Sequence, residues 1–176
     1  MMKELLKKLS EKFDEEANKI KEYVTEKKEY TSDFFNCLPT FTSIDTRPRE
    51  TRGKKGVYIF LITKPISLNY GMVSDWNSVS GAGFKSYSQQ SLVVGDCLYV
   101  GSADSIYRRM GEHFSANSVA ASLKLSHDKR NFILDSVRVY SFALKRDWVD
   151  YSHMIITQIE KRLHTSLEPK AGSSRI

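Results

Sequence analysis

Gly56-Val57-Tyr58-Ile59-Phe60-Leu61-Ile62-Thr63 and, further on, Leu92-Val93-Val94-Gly95-Asp96-Cys97-Leu98-Tyr99-Val100 are the two stretches on which the fold turns. Both are rich in β-branched and aromatic side chains, which pack well on a pleated, buried surface, so each reads as a strand. Gly95-Asp96 puts turn chemistry inside the second and predicts a turn or bulge there. Gly56-Val57-Tyr58 opens the first apolar run, and Tyr99-Val100-Gly101 closes the second.

Working outward, residues 136–144 alternate well enough for a third strand. Ser102 and Asp104 offer capping groups for a helix that runs to about residue 114. A shorter helical stretch is expected around residues 124–134, and a last helix over about 151–167. The last helix carries Ile155, Ile156, Ile159 and Leu163 as its apolar stripe and is stopped by Pro169. Upstream, Leu5, Leu6, Leu9, Phe13, Ala17, Ile20 and Val24 recur at spacings of three and four, which predicts one amphipathic helix over residues 3–29. Residues 30–55 read as irregular, with Pro39 and Pro48 as breakers, and end in the basic run Arg47, Arg49, Arg52, Lys54 and Lys55. Residues 64–91 depart in composition, with Pro65, Gly71, Gly81, Gly83 and many Ser among Tyr70, Trp76, Phe84 and Tyr87. They read as a long loop or small subdomain inserted between the first two strands. The expected total is α+β: a three-stranded, mainly antiparallel sheet flanked by helices.

The 176 residues suffice for one domain with a real core. Lys and Arg outnumber Asp and Glu by 27 to 21, a net charge of +6 that favours a polyanionic partner such as nucleic acid. Cys37 and Cys97 are the only cysteines. With no C-x-x-C pair a zinc knuckle is not expected, and a reduced, cytoplasmic setting is the simplest reading. No apolar run reaches the ~18 residues of a membrane helix, and the charged start Met-Met-Lys-Glu is unlike a signal peptide.

Arg109 and His113 are four apart and share one helix face, beside the apolar face of Ile106, Met110 and Phe114. A guanidinium forks onto phosphate oxygens and keeps its charge, and an imidazole moves protons near neutral pH. Glu160 lies between Ile156 and Leu163, beside the apolar stripe of the last helix. A carboxylate there either pairs with a cation such as Arg108 or Lys161 or ligates a metal. Read singly, each of these residues is ordinary for a solvated helix.

Read in order, they resemble the GIY-YIG nuclease family over roughly residues 54–172. The family pattern is Gly-x-Tyr, then Tyr-x-Gly, then an Arg at the spacing that separates Tyr99 from Arg109. Tyr99-Val100-Gly101-Ser102-Ala103 running into Arg108-Arg109 and His113-Phe114 is similar to the homing-endonuclease version. The family's metal-binding Glu is followed by a Pro, as Glu160 is by Pro169; Gly172 stands where the family has Asn.

The resemblance implies a GIY-YIG-like catalytic domain over residues 53–176, with 64–91 as an insertion, preceded by a helix and basic linker over 1–52. It implies a divalent-metal-dependent endonuclease of restriction type that hydrolyses DNA phosphodiesters. In it Tyr58 or Tyr99 orients or deprotonates the water, and Arg109 binds the scissile phosphate. His113 transfers a proton or holds a phosphate, and Glu160 binds one Mg2+ or Mn2+. Lys54, Lys55, Ser102 and Arg108 are the expected nucleic-acid contacts, and the insertion suits groove contacts or base-step wedging, and a stabilising flap equally well. Cutting both strands with one site per chain implies a homodimer or two encounters. The rival expectation is a nucleic-acid-binding module that has kept the fold and lost catalysis, with Gly172 the first residue to return to Asn.

Overall fold

The computed structural model describes residues 1–172. The last four residues of the 53–176 span therefore lie outside the described residues. The frame is one antiparallel sheet of β1 (Phe35–Cys37), β2 (Gly56–Ile62), β5 (Cys97–Ala103) and β6 (Val137–Leu144), in the order β1-β6-β2-β5. Two strands of the insertion, β3 (Ile66–Leu68) and β4 (Gln90–Leu92), pair separately.

The sheet has four strands, not three. Phe35 pairs with Leu144 and Cys37 with Phe142, so β1 extends the sheet beyond β6. Three residues are too few to establish an alternation, and Pro39 just beyond argued for a breaker, so this strand read as irregular chain.

β2 is central, and all seven of its residues are buried. Its alternation sorts two cores. Val57, Ile59 and Leu61 face α1 (Met2–Glu26) and α4 (Ser152–Leu167), where they meet Ile20, Ile155, Ile159 and Leu163. Tyr58, Phe60 and Ile62 face α3 (Ile106–Phe114) and α2 (Tyr70–Ser78), among Met110, Phe114, Val73 and Trp76. Each such aliphatic side chain contributes about 1.5–3 kcal/mol when fully buried.

α1 ends at Lys27, whose left-handed φ of 55° turns its N–H back onto the Glu22 carbonyl. Its buried stripe begins only at Phe13; Leu5 and Leu6 are exposed. α3 is capped by Ser105, whose side chain accepts from the Arg108 N–H; Ser102 and Ala103 still belong to β5. The stretch 124–134 is mostly turn, with a 3-10 segment at Asn131–Ser136. Gly95, at φ 93°, makes the expected turn, and its N–H bonds the Ile62 carbonyl.

Of the two expectations for the insertion, long loop or small subdomain, its helix and paired strands fit the second. Trp76 is fully buried and packs against Phe84 with the rings tilted by 43°, and its indole N–H reaches the Ala82 carbonyl at 2.9 Å. These two rings are core and cannot wedge into a base step; Tyr70 and Tyr87 remain exposed. Arg130, fully buried, pins the insertion down: its guanidinium donates to the carbonyls of Trp76, Val79, Ser122 and Leu123. Two of those carbonyls lie at the C-terminal end of α2, where the helix dipole favours a cation. The C-terminal segment then laces the parts together. Lys170 and Ala171 donate to the carbonyls of Cys97 and Leu98, Lys85 donates to Lys170, and Gly172 donates to Gly83. No helix among the described residues is long and apolar enough to cross a membrane.

Candidate active site

Four elements deliver side chains to one small pocket of about 50 Å³ at the β5 edge of the sheet. Tyr58 comes from β2, Tyr99 and Ser102 from β5, Arg109 from α3, and Glu160 and His164 from α4. The register explains the meeting. Tyr58 pairs with Gly101, so both face α3, while Val57 pairs with Ser102, so Ser102 faces α4. The site forms where the two faces of the sheet come together around its outer strand. Gly101 is what lets Tyr58 reach that edge: a Cβ there would lie 2.5 Å from the Tyr58 hydroxyl oxygen.

The Tyr58 hydroxyl is fully buried and accepts two hydrogen bonds. Arg109 Nε–H donates at 3.2 Å, and His113 Nε2 lies at 2.9 Å. The His113 tautomer follows from its other nitrogen, which accepts from the Leu123 N–H at 3.1 Å. Nδ1 is therefore the acceptor and Nε2 carries the proton given to Tyr58. Burial, and the Arg109 charge after it, hold the His113 imidazole well below its usual range, so the ring is neutral near pH 7. Burial, and Tyr99 next to it, push the Tyr58 phenol well above its ordinary value, with Arg109 pulling the other way.

Arg109 is itself clamped. Nη1 donates to Glu112 at 2.6 Å and Nη2 to the Ala121 carbonyl at 2.8 Å. Three of the five N–H groups of a guanidinium are so engaged, and two remain for a ligand. Tyr99 stacks nearly parallel to Tyr58 (13° between rings) and meets the His113 ring edge-on. Ser102 Oγ donates to Glu160 Oε2 at 2.6 Å, and His164 Nε2 lies 3.8 Å from Glu160 Oε1.

The structure thus brings Tyr58, Tyr99, Arg109, Ser102 and Glu160 together. It sets His113, with no exposed surface, behind Tyr58 rather than in the pocket. Lys55 lies 3.8 Å from Asp104 and lines a neighbouring groove of about 590 Å³, with Ser102, His153, Glu160, Lys161 and His164. Lys54 and Arg108 are exposed and line neither cavity. Sequence reading missed Glu112 and His164; four residues from Glu160 on one helix face was the available signal for His164. It also missed how the basic run is ordered: the Arg47 and Arg52 guanidinium carbons lie 3.4 and 4.6 Å from the Tyr107 ring centre, on α3.

Gly172 packs on the site from outside. Its φ is 102°, and a Cβ there would come within 2.9 Å of the Tyr99 ring. Among the described residues no three His, Cys, Asp or Glu side chains converge on one point. The pocket instead offers a carboxylate held by a hydroxyl, with room beside it. That donor set fits a hard dication that retains several waters. No family model matches the chain, and no curated protein and no solved structure matches it either.

Proposed function

We propose that the chain is a metal-dependent DNA endonuclease of the GIY-YIG type. One observation carries this: Tyr58, Tyr99, Arg109 and Glu160, far apart in sequence and on four elements, line a single pocket. The order of the motif and the net positive charge support a phosphodiester of DNA as substrate.

The chemistry follows from the contacts. Hydrolysis needs an oriented water and neutralisation of charge on the phosphoryl oxygens. Tyr58 keeps its proton at neutral pH, so it positions the water by its hydroxyl. The two N–H donors from Arg109 and His113 occupy the lone pairs of that oxygen and so leave its own proton to point at the water. Arg109 turns its two remaining N–H groups to the phosphate, held in place by Glu112 and Ala121. His113 is a positioning residue that acts through Tyr58. Glu160, oriented by Ser102, would hold the Mg2+ or Mn2+ ion, which would supply Lewis acidity there. Double-strand cutting by one site per chain requires a second copy or a second encounter.

The test is supercoiled plasmid with Mg2+, beside an EDTA control and two variants. Glu160→Ala is expected to abolish cleavage and keep salt-sensitive binding. Arg109→Ala is expected to weaken both, with about 2–4 kcal/mol of transition-state stabilisation lost. Cleavage at the normal rate by Glu160→Ala would sink the proposal; binding without cleavage by the wild type would move it to the binding-module reading.

A further inference from the structure

Where the insertion meets the segment after α3, a second cleft of about 450 Å³ opens, apart from the pocket of Tyr58 and Glu160. Ser78 and Ser80 line it from the C-terminal end of α2, and Asn117, Lys124, His127 and Lys129 line it from the other side. No Asp or Glu is in its wall; Asp128, between two of these residues in the chain, is exposed and lies outside the lining. Lys124 is only 7% exposed, and its Nζ donates to Ser80 Oγ at 2.9 Å. Lys129 Nζ donates to Ser78 Oγ at 3.1 Å. Neither ammonium is ion-paired among the described residues. An ammonium has three N–H donors, so each keeps two for a ligand. Arg130 donates to the Val79 carbonyl in the same wall, and its charge is met by carbonyls alone. It also takes up the carbonyl end of α2, which would otherwise repel an anion. Positive charges gathered this way repel one another, and a bound anion relieves the repulsion. Lys124 further holds a left-handed φ of 49°, which Gly or Asn adopts more readily; backbone strain of that kind gathers at ligand clamps.

We propose that this cleft holds a phosphate of the nucleic-acid backbone, on the strand whose scissile phosphate Arg109 takes. Ammonium, hydroxyl and amide donors with no carboxylate among them suit phosphodiester oxygens. One segment ties the two sites together. Ala121 accepts from Arg109 Nη2, and Lys124 follows three residues on, at most about 11 Å along the chain. Phosphates of one strand rise by about 3.4 Å each, so the cleft serves a position a few nucleotides from the cut. The insertion thereby becomes a wall of the substrate channel, supplying Ser78 and Ser80. The inference rests on the reading of the chain as a nuclease with Arg109 at the scissile phosphate.

The experiment is fluorescence anisotropy of the full chain with a labelled DNA duplex, in EDTA to prevent cutting, across a salt series. The double variant Lys124→Gln/Lys129→Gln is expected to bind on the order of tenfold more weakly, with the slope of log affinity on log salt reduced by about 1–2. Lys3→Gln/Lys12→Gln removes the same charge from exposed positions on α1 and is expected to match wild type. Equal losses in the two double variants, or no loss in the first, overturn the proposal. Lys129→Glu, at an exposed position, carries the test if the first variant does not fold; it is expected to bind at least as weakly, and unaltered binding overturns the proposal. Amide NMR separates two sources of phosphate. Duplex is expected to shift the Asn117, Lys124 and Lys129 signals, whereas shifts with inorganic phosphate and none with duplex overturn the backbone assignment. Plasmid cleavage is scored separately. Weakened binding in the first variant, beside a wild type that never cuts, supports this inference and removes the nuclease. Cutting by wild type with unaltered binding in the variant keeps the nuclease and overturns this inference.

Discussion

At the scale of single residues, Gly172 is the position where a pattern-based expectation and the geometry part. Matching the family by putting Asn there would place a side chain at φ 102° and press its Cβ against Tyr99. Gly172→Asn is therefore expected to cost roughly 1–3 kcal/mol of stability and to lower activity by displacing the Tyr99 ring. A melting curve and a plasmid assay check this; a stabilised and more active variant contradicts it. The residues that were legible beforehand are those whose type and order are both unusual. Tyr58, Tyr99, Arg109 and Glu160 meet that condition, because chance seldom spaces a Gly-x-Tyr, a Tyr-x-Gly and an Arg that way. His164 does not: a His near the end of an amphipathic helix looks like any other until Glu160 lies beside it. Arg130 was hidden more thoroughly, because nothing in the sequence around it marks a residue that the fold withdraws completely.

At the scale of elements, long and strongly patterned segments were legible and short ones were not. β2, β6, α1 and α4 each carry enough residues to establish a period. β1 is three residues long, and the order inside the insertion depends on contacts with residues far away in the chain. That insertion hangs on one guanidinium. Burial lowers the Arg130 pKa to about 10, still far enough above neutrality for the charge to persist. Arg130→Met keeps much of the volume but strips four carbonyls of their donor. A loss of about 3–5 kcal/mol in denaturant unfolding is expected. A loss under about 1 kcal/mol would mean that water satisfies these carbonyls equally well. Since Leu123 is both a neighbour of this clamp and the donor to His113, the damage should reach the site.

At the scale of the whole molecule, the buried neutral His113 links stability to pH. Its folded pKa lies below the usual 6.5 of an unfolded His. Above about pH 6.5 neither state binds the proton, and the contribution is fully present. As pH falls below that, the unfolded chain takes up a proton that the folded chain refuses, and stability drops by up to about 1.4 kcal/mol per pH unit until the folded pKa is reached. His113→Gln keeps a donor for Tyr58 and cannot titrate. The pH dependence of its unfolding free energy between pH 5 and 7 should therefore be shallower than that of wild type, by up to one proton. Parallel curves for the two proteins would show that His113 is not neutral in the folded state.

The lacing of Lys170 and Ala171 onto Cys97 and Leu98 has a consequence for how the chain is made. On a ribosome β5 emerges long before the segment that covers it. At the usual pace of synthesis the interval is on the order of ten seconds. Throughout that time the outer strand presents unpaired peptide groups, an open template for a neighbouring nascent chain. The protein is thus most exposed to mispairing during its own translation, and the last described residues to appear are the ones that close off the Cys97–Leu98 end of that edge.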